Sequence, residues 1–411
     1  MSSAIAKCAS DASGPLLRAK LLPWAAAALL SATSRAFSAT SSSAGSCAQA
    51  GGAGQGGVAG GEASGGGGNL AAIKELRART GAPVKDVKAA LVAAGWDLDA
   101  AFTELRKRGL AAAQKKRARV AAEGLVGVAV RRGVGAVAVE VNSETDFVAR
   151  NDLFQLLVSK AAAAALSLPP SSSSSVLPQP LPLAELEQAT VSFDHPKLCG
   201  SRQLSEAVAE VAALTGENVK LRRAFLLPEP RPSGSVSMYL HSSPGAGLGR
   251  IAGLVSLSAS RAAEKGAAAP VEVAAEDAAA AAAGGVGDGV AMHLVAMRPL
   301  YLRREDVPGG VVERESDVLR AQATAAGKPA NVVEKMVAGR LNKYYGEVVL
   351  VEQAYAMDDK KTVEKVLAEA SKKAGATIRV EQFLRVEVGE GIEREAKDFA
   401  SEVASQVASS S

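Results

Sequence analysis

Hydrophobic positions along this chain change period several times, and each change marks an element. Leu70, Ile73 and Leu76 share one helical face, closed by Thr80-Gly81, where glycine takes the left-handed cap at little cost. Pro83 sits where a first helical turn tolerates it; Val84, Val87 and Leu91 then form a second face that stops at Gly95. Asp97 is placed to N-cap a third helix through Leu98, Phe102 and Leu105, ended by Gly109. Residues 122–130 and 135–141 read as strands joined across Arg131-Arg132-Gly133, a hairpin signal. A helix over 153–166 follows. Helical spacing resumes at Leu204, Val208, Val211 and Leu214, and further strands are predicted over 218–227, 236–240 and 249–255. An Ala-rich stretch near 262–285 reads as helix plus flexible loop, and 291–296 as packed helix that includes His293. Charged helices over 312–326 and 332–345 flank Gly327-Lys328-Pro329. A strand over 378–388 and an amphipathic helix through Phe399, Val403 and Val407 close the chain.

Three stretches lack any such period. Residues 1–45 are basic, Ser-rich and nearly free of acids (Lys7, Arg18, Lys20 and Arg35 against Asp11), the composition of an organellar transit peptide. The apolar run Leu21–Leu30 is too short to span a bilayer. Arg35-Ala36-Phe37-Ser38 resembles a mitochondrial cleavage pattern, so the mitochondrial matrix is the expected destination, with the plastid as the alternative. The Gly/Ser/Ala tract at 46–68 reads as a linker, and the Pro/Ser-rich stretch at 169–182 as a surface insertion unable to form a core element.

Composition narrows the chemistry. The net charge of +4 over 411 residues is too small to argue by itself for a nucleic-acid binder. Cys8, Cys47 and Cys199 provide no disulfide framework, and His195, His241 and His293 lack zinc-ligand spacing. No nucleophile–base pair, phosphate loop or metal site emerges, so neither catalysis nor a cofactor is expected. Gly245-Ala246-Gly247-Leu248-Gly249 has the glycines of a dinucleotide fingerprint but leads into a strand-like run, which removes the phosphate reading. The basic stretch from Arg106 to Arg119 reads as a solvated helix face. Contact with RNA is the sharper alternative, although no aromatic residues interleave with it.

One run stands apart. Asn142-Ser143-Glu144-Thr145-Asp146-Phe147-Val148-Ala149-Arg150 joins a strand to a helix, and places a bulky ring beside a carboxylate in the turn. Its phenylalanine either folds back into the core or faces a partner. The run resembles the signature of the elongation factor Ts family. Further landmarks follow in the family's order: Glu217-Asn218-Val219-Lys220-Leu221-Arg222-Arg223, Ala291-Met292-His293, Glu334 to Arg340, and Lys361-Thr362-Val363. The family's Tyr-x-His-Gly-x-x-Arg-Ile pattern is also present, but Ser242–Gly247 lengthens the loop between His241 and Arg250-Ile251, and Ala252 stands where glycine is usual.

The resemblance implies an α+β fold. A three-helix, ubiquitin-associated-like module (69–110) would precede two core subdomains with small antiparallel sheets (120–215 and 216–391), a helical hairpin (311–346) and a C-terminal helix (392–411). It implies a non-enzymatic guanine-nucleotide exchange factor for the elongation factor Tu of the same organelle. Such a factor needs no cofactor and binds no nucleotide, membrane or nucleic acid itself. Phe147 would wedge between partner helices and Asp146 would disturb the partner's magnesium neighbourhood, while Thr145 and Val148 shape the turn. Arg77, Thr80 and Gly81 of the module, with Phe399 of the last helix, would hold the nucleotide-binding domain; His241, Arg250 and Ile251 would touch a second domain. The alternatives are an RNA-binding scaffold using 106–119 and a ubiquitin-binding adaptor using 70–109.

Overall fold

A computed structural model describes residues 65–169, 177–230, 234–260, 273–325 and 329–393. The transit peptide, most of the linker and the C-terminal helix with Phe399 lie outside them.

Three helices come first: α1 (Gly65–Thr80), α2 (Val84–Ala93) and α3 (Leu98–Lys116). Leu76, Val87, Leu91 and Leu105 are buried in their own small core. Gly81 and Gly95 take positive φ at the ends of α1 and α2, and the Asp97 carboxylate accepts the N–H groups of Asp99 (2.9 Å) and Ala100 (3.0 Å) to cap α3. Leu70 and Val84 are exposed, outside the point where the three helices converge. Helix α3 does not stop at Gly109 but runs on for seven residues, to Lys116. This glycine is a site of close approach: a Cβ there would stand 3.2 Å from Ala213 Cβ of the later helix on which α3 packs.

The next layer begins with the hairpin β1 (Glu123–Arg131) and β2 (Gly135–Ser143), then a single turn α4 (Asp146–Ala149) and α5 (Asp152–Ala165). Leu153, Phe154, Leu157, Val158, Ala161, Ala162 and Ala165 form the buried stripe of α5, at helical spacing. Gly127 of β1 lets α5 settle closely, since a Cβ there would come within 2.7 Å of Val158 O. After β3 (Gln179–Pro180), α6 (Leu183–Gln188), the hairpin β4 (Thr190–His195) and β5 (Leu198–Gln203) and α7 (Leu204–Thr215), the chain returns as β6 (Lys220–Pro228). The end of the Pro/Ser-rich stretch is therefore not loose surface: Gln179 and Pro180 pair with Leu226 and Phe225, and Leu181 is buried.

The remaining elements are β7 (Gly234–His241), β8 (Leu248–Gly249), β9 (Ile251–Ser260), α8 (Val273–Met297), α9 (Gly309–Ala325), α10 (Ala330–Val348), β10 (Ala354–Tyr355), β11 (Asp358–Thr362), α11 (Val363–Ala374) and β12 (Thr377–Glu387). Two antiparallel sheets organise the α+β core, one ordered β3-β6-β2-β1-β8 and the other β12-β9-β7. A hydrophobic cluster lies under each, the first with α5 and α7, the second with α8 and α11. Residues 273–297 form one continuous helix, so the second half of the Ala-rich stretch belongs to the element that carries His293. Helices α9 and α10 pair through Leu319, Ala323, Val333 and Val337.

A buried carboxylate ties the sheets together. Every residue of β2 is buried, including Glu140. Its Oε1 accepts the Gly389 N–H (2.8 Å), Arg222 Nη1 (2.9 Å) and Asn142 Nδ2 (3.1 Å), while Oε2 accepts from Arg223 Nε. The same two arginines donate to the carbonyls of Glu390 and Glu387, beyond and at the end of β12. Removing Glu140 would leave two largely enclosed arginine side chains without this counter-charge. Glu140→Ala should therefore cost about 3–5 kcal/mol in denaturant unfolding; a loss under about 1 kcal/mol would show that the clasp is dispensable.

His293 occupies a second junction. Its Nδ1 accepts the Ala356 N–H (3.1 Å), so the ring proton sits on Nε2, facing Gln353 Oε1 at 2.9 Å. Gln353 Nε2 in turn donates to the carbonyls of Glu347 (2.7 Å) and Met297 (3.3 Å), joining α8 to the base of the α9–α10 hairpin. Burial lowers the His293 pKa, against a smaller opposing effect of Gln353. The unfolded chain then binds the proton more readily than the native one. This contribution to stability is complete above the ordinary value near 6.5 and is lost as pH falls toward the depressed native value. Unfolding midpoints should drop between pH 7 and pH 5, with a shallower slope in His293→Gln; an unchanged slope would remove His293 as the cause.

Candidate partner-binding site

The run from Asn142 to Arg150 leaves the buried end of β2 and turns outward. Thr145 precedes α4 in extended conformation, and Asn151 starts α5 by accepting the Leu153 N–H at 2.9 Å. Within that single turn Val148 and Ala149 are buried in the core under α5. Successive helical residues point about 100° apart, so anchoring positions 148 and 149 throws position 147 away from the protein. Phe147 is 75% exposed, which removes the core reading of its ring. Isolated exposed apolar groups are ordinary on protein surfaces; what distinguishes this one is the fixed backbone beneath it. Asp146 beside it pairs with Arg150 at 2.8 Å, both side chains being substantially exposed. Such a pair is worth at most about 1 kcal/mol and is readily exchanged for another partner.

Contacts from distant sequence hold the turn. Glu217 Oε2 accepts the Thr145 N–H (2.9 Å) and its Oε1 accepts the Thr145 hydroxyl (2.6 Å). Glu144 Oε1 accepts the Asn218 N–H at 2.7 Å, and Ser143 Oγ donates to Thr145 O at 2.9 Å. Sequence reasoning passed over Glu217 as a functional residue. The only signal was its place in a landmark shared with a known family.

The other expected residues fall in three places. In the helical module Arg77 and Gly81 are exposed, whereas Thr80 is buried and its hydroxyl donates to Leu76 O at 2.7 Å. Gly81 lies on the rim of a groove of about 830 Å³ between the module and the β4–β5 hairpin. His241 is exposed at the end of β7, and its carbonyl accepts the Arg250 N–H at 2.9 Å. Arg250 reaches Glu123 Oε2 at 2.7 Å, and Glu123 pairs in register with Ser143, at the end of β2 that carries the Phe147 turn. The structure thus brings the His241–Ile251 segment and the Phe147 turn to one end of the first sheet. The lengthened loop after His241 is anchored farther along, on the middle of β1: β8 pairs with Val126 and Gly127, and Val128 N donates to Gly247 O at 2.7 Å. Its glycines lead into β9 rather than a helix, so no helix N-terminus awaits a phosphate. Phe399 lies outside the described residues.

The basic stretch is mostly exposed, and four of its side chains have partners within the chain. Arg106 pairs with Glu210, Arg108 with Glu104 at 2.8 Å and Arg119 with Glu144 at 3.4 Å, and Lys116 donates to Gly216 O. Among the described residues no group of three or more His, Cys, Asp or Glu stands where it could hold a metal ion, and no helix is long and apolar enough to cross a membrane.

The described residues thus form a mixed α+β scaffold that presents an outward-facing aromatic turn on a supported backbone. The sequence model of the family Elongation factor TS matches residues 144–390. The chain is 47% identical over 322 residues to the mitochondrial elongation factor Ts of Oryza sativa subsp. japonica, spanning 78% of this chain and 83% of that protein. It is 46% identical over 330 residues to the one of Arabidopsis thaliana, spanning 80% of each. Similarity to the elongation factor Ts of Brucella ovis reaches 43% over 332 residues, 81% of this chain and 96% of that protein. The chain belongs to the elongation factor Ts family, and its plant relatives group it with the mitochondrial members.

Proposed function

We propose that this chain is the guanine-nucleotide exchange factor of mitochondrial protein synthesis, acting on the elongation factor Tu of that organelle by binding rather than by chemistry. The single observation that carries this is Phe147, three-quarters exposed on a turn whose next two residues are buried. A translational GTPase holds GDP through phosphate contacts and a bound Mg²⁺. A factor that prefers the nucleotide-free GTPase weakens nucleotide binding by the same coupling energy; about 4 kcal/mol would change nucleotide affinity roughly a thousandfold.

In this reading Phe147 inserts between partner helices and Asp146, released from Arg150, competes within the magnesium neighbourhood. The three-helix module, taken as a ubiquitin-associated-like docking element, grips the nucleotide-binding domain through Arg77 and Gly81, with the Phe399 segment as a second hold. Thr80 serves that surface indirectly, by shaping the end of α1. His241, Arg250 and Ile251 meet a second partner domain. The ion pairs of the half-exposed Arg106, Arg108 and Arg119 are exchangeable like that of Arg150, so it is the family match over 144–390 that disfavours an RNA-binding scaffold.

Phe147→Ala should lose about 2–4 kcal/mol of partner coupling, read as a roughly 30- to 1000-fold weaker stimulation of fluorescent GDP release. Its thermal unfolding should match that of the parent chain, because an exposed ring contributes little to folding. Undiminished stimulation would overturn the assignment of this turn, and a destabilised fold with normal exchange would return the ring to a structural role.

A further inference from the structure

We propose that the turn Gly216-Glu217-Asn218, between α7 and β6, is a clamp that holds the Phe147 turn in its binding conformation, with Glu217 as the positioning residue. The proposal rests on the reading of Phe147 as the partner-facing wedge and adds residues that this reading does not contain.

A four-residue helical turn has almost no stability of its own, because nucleation costs more than so few hydrogen bonds return. Burial of Val148 and Ala149 secures only its second half. The first half, where the chain leaves β2, is secured from outside. Glu217 receives both donors of Thr145, the N–H at 2.9 Å and the hydroxyl at 2.6 Å, so one carboxylate fixes both the backbone and the rotamer of the residue that starts the turn. The arrangement is reciprocal, since Glu144 accepts the Asn218 N–H at 2.7 Å. Each segment supplies a carboxylate to a backbone N–H of the other, the logic of a capping box spread over residues more than seventy positions apart.

The same turn also holds the segment that leaves the helical module. Asn218, 4% exposed, donates through Nδ2 to Arg119 O (2.7 Å) and Arg117 O (3.2 Å). Lys116 donates to Gly216 O, and Arg119 reaches Glu144 at 3.4 Å. Gly216, at φ +73, ends α7 in the left-handed conformation and lets the chain turn sharply enough for Glu217 and Asn218 to face both segments. The clamp therefore fixes the wedge relative to the module. The two surfaces that would meet the partner are held in one register before binding, and the partner does not have to order them.

The test uses the full chain carrying Glu217→Ala, Glu217→Gln, Thr145→Val or the pair Glu217→Ala/Thr145→Val, with Phe147→Ala as reference. Three quantities are read: stimulated GDP release from organellar elongation factor Tu, amide hydrogen exchange, and the unfolding midpoint. Glu217→Ala should lower kcat/KM for exchange roughly ten- to hundredfold, the worth of charge-assisted hydrogen bonds. It should also speed amide exchange at 145–150 while 153–165 stays protected. Glu217→Gln should recover most of the activity, because its amide still accepts the Thr145 N–H, and the double variant should lose little more than the worse single one. If Glu217→Ala fails to fold, Thr145→Val, which removes only the hydroxyl contact, carries the same expectation at smaller size. Wild-type kcat/KM and unchanged protection in Glu217→Ala, beside an inactive Phe147→Ala, would overturn the clamp and leave the exchange reading standing. A uniform loss of protection that Glu217→Gln does not restore would also overturn it, reducing Glu217 to general structural support. Full activity in Phe147→Ala would instead remove the reading on which the clamp rests.

Discussion

The fold depends on one buried charge. Glu140 sits in a strand covered on both faces, where an unpaired carboxylate would not be tolerated. It is accommodated because four groups converge on it: the guanidinium groups of Arg222 and Arg223, the side-chain amide of Asn142 and the backbone N–H of Gly389. Those groups come from β2, from β6 and from the segment just after β12. The first sheet supplies three of these groups, and the fourth, the Gly389 N–H, together with the bonds of the same two arginines to Glu387 O and Glu390 O, ties in the end of the second sheet. Replacement by an apolar residue could keep the packing, but it would remove the directionality that selects one docking geometry.

That geometry carries through to the binding surface. Asn142, next but one to Glu140, also donates to Glu123 O at 3.2 Å across the β1–β2 hairpin. The Phe147 turn begins five residues beyond Glu140, at Thr145. On the neighbouring strand, Glu123 pairs with Arg250, which follows the His241 loop. In the proposed reading Phe147 is a wedge that must resist being pushed back, and the turn is supported by packing on one side and by Glu217 on the other. Function as a binding factor thus requires rigidity at a surface loop, where proteins more often allow motion.

Much of this was legible in the sequence, for identifiable reasons. The β1–β2 hairpin and α5 announce themselves through period and through Gly133, and their observed limits lie within two residues of the predicted ones. The turn at 144–149 was found because its residue types are distinctive. The outward direction of Phe147 was implied by the family resemblance alone, since four residues define no period; in the structure it follows from the burial of their neighbours. What failed depended on tertiary partners. Gly109 looked like a helix stop and is a packing contact with Ala213. Gln179 and Pro180 looked like loop and became an edge strand because β6 offered a free side. The alternation of Val191 and Phe193 in β4 was overlooked, although Pro196-Lys197 marks its turn. Arg106 is exposed, as a solvated helix face requires, and only its acid, Glu210, 104 residues away, was beyond reach of the sequence.

The central claim is that this chain acts by binding the nucleotide-free partner more tightly than the GDP-bound one. Calorimetric titration of the chain into organellar elongation factor Tu, once stripped of nucleotide and once loaded with GDP, tests it most directly. The account predicts much tighter binding to the stripped form, by the same factor by which the chain weakens GDP binding, as linkage requires. Equal affinity for the two forms would contradict it, because a ligand indifferent to two states cannot shift the balance between them.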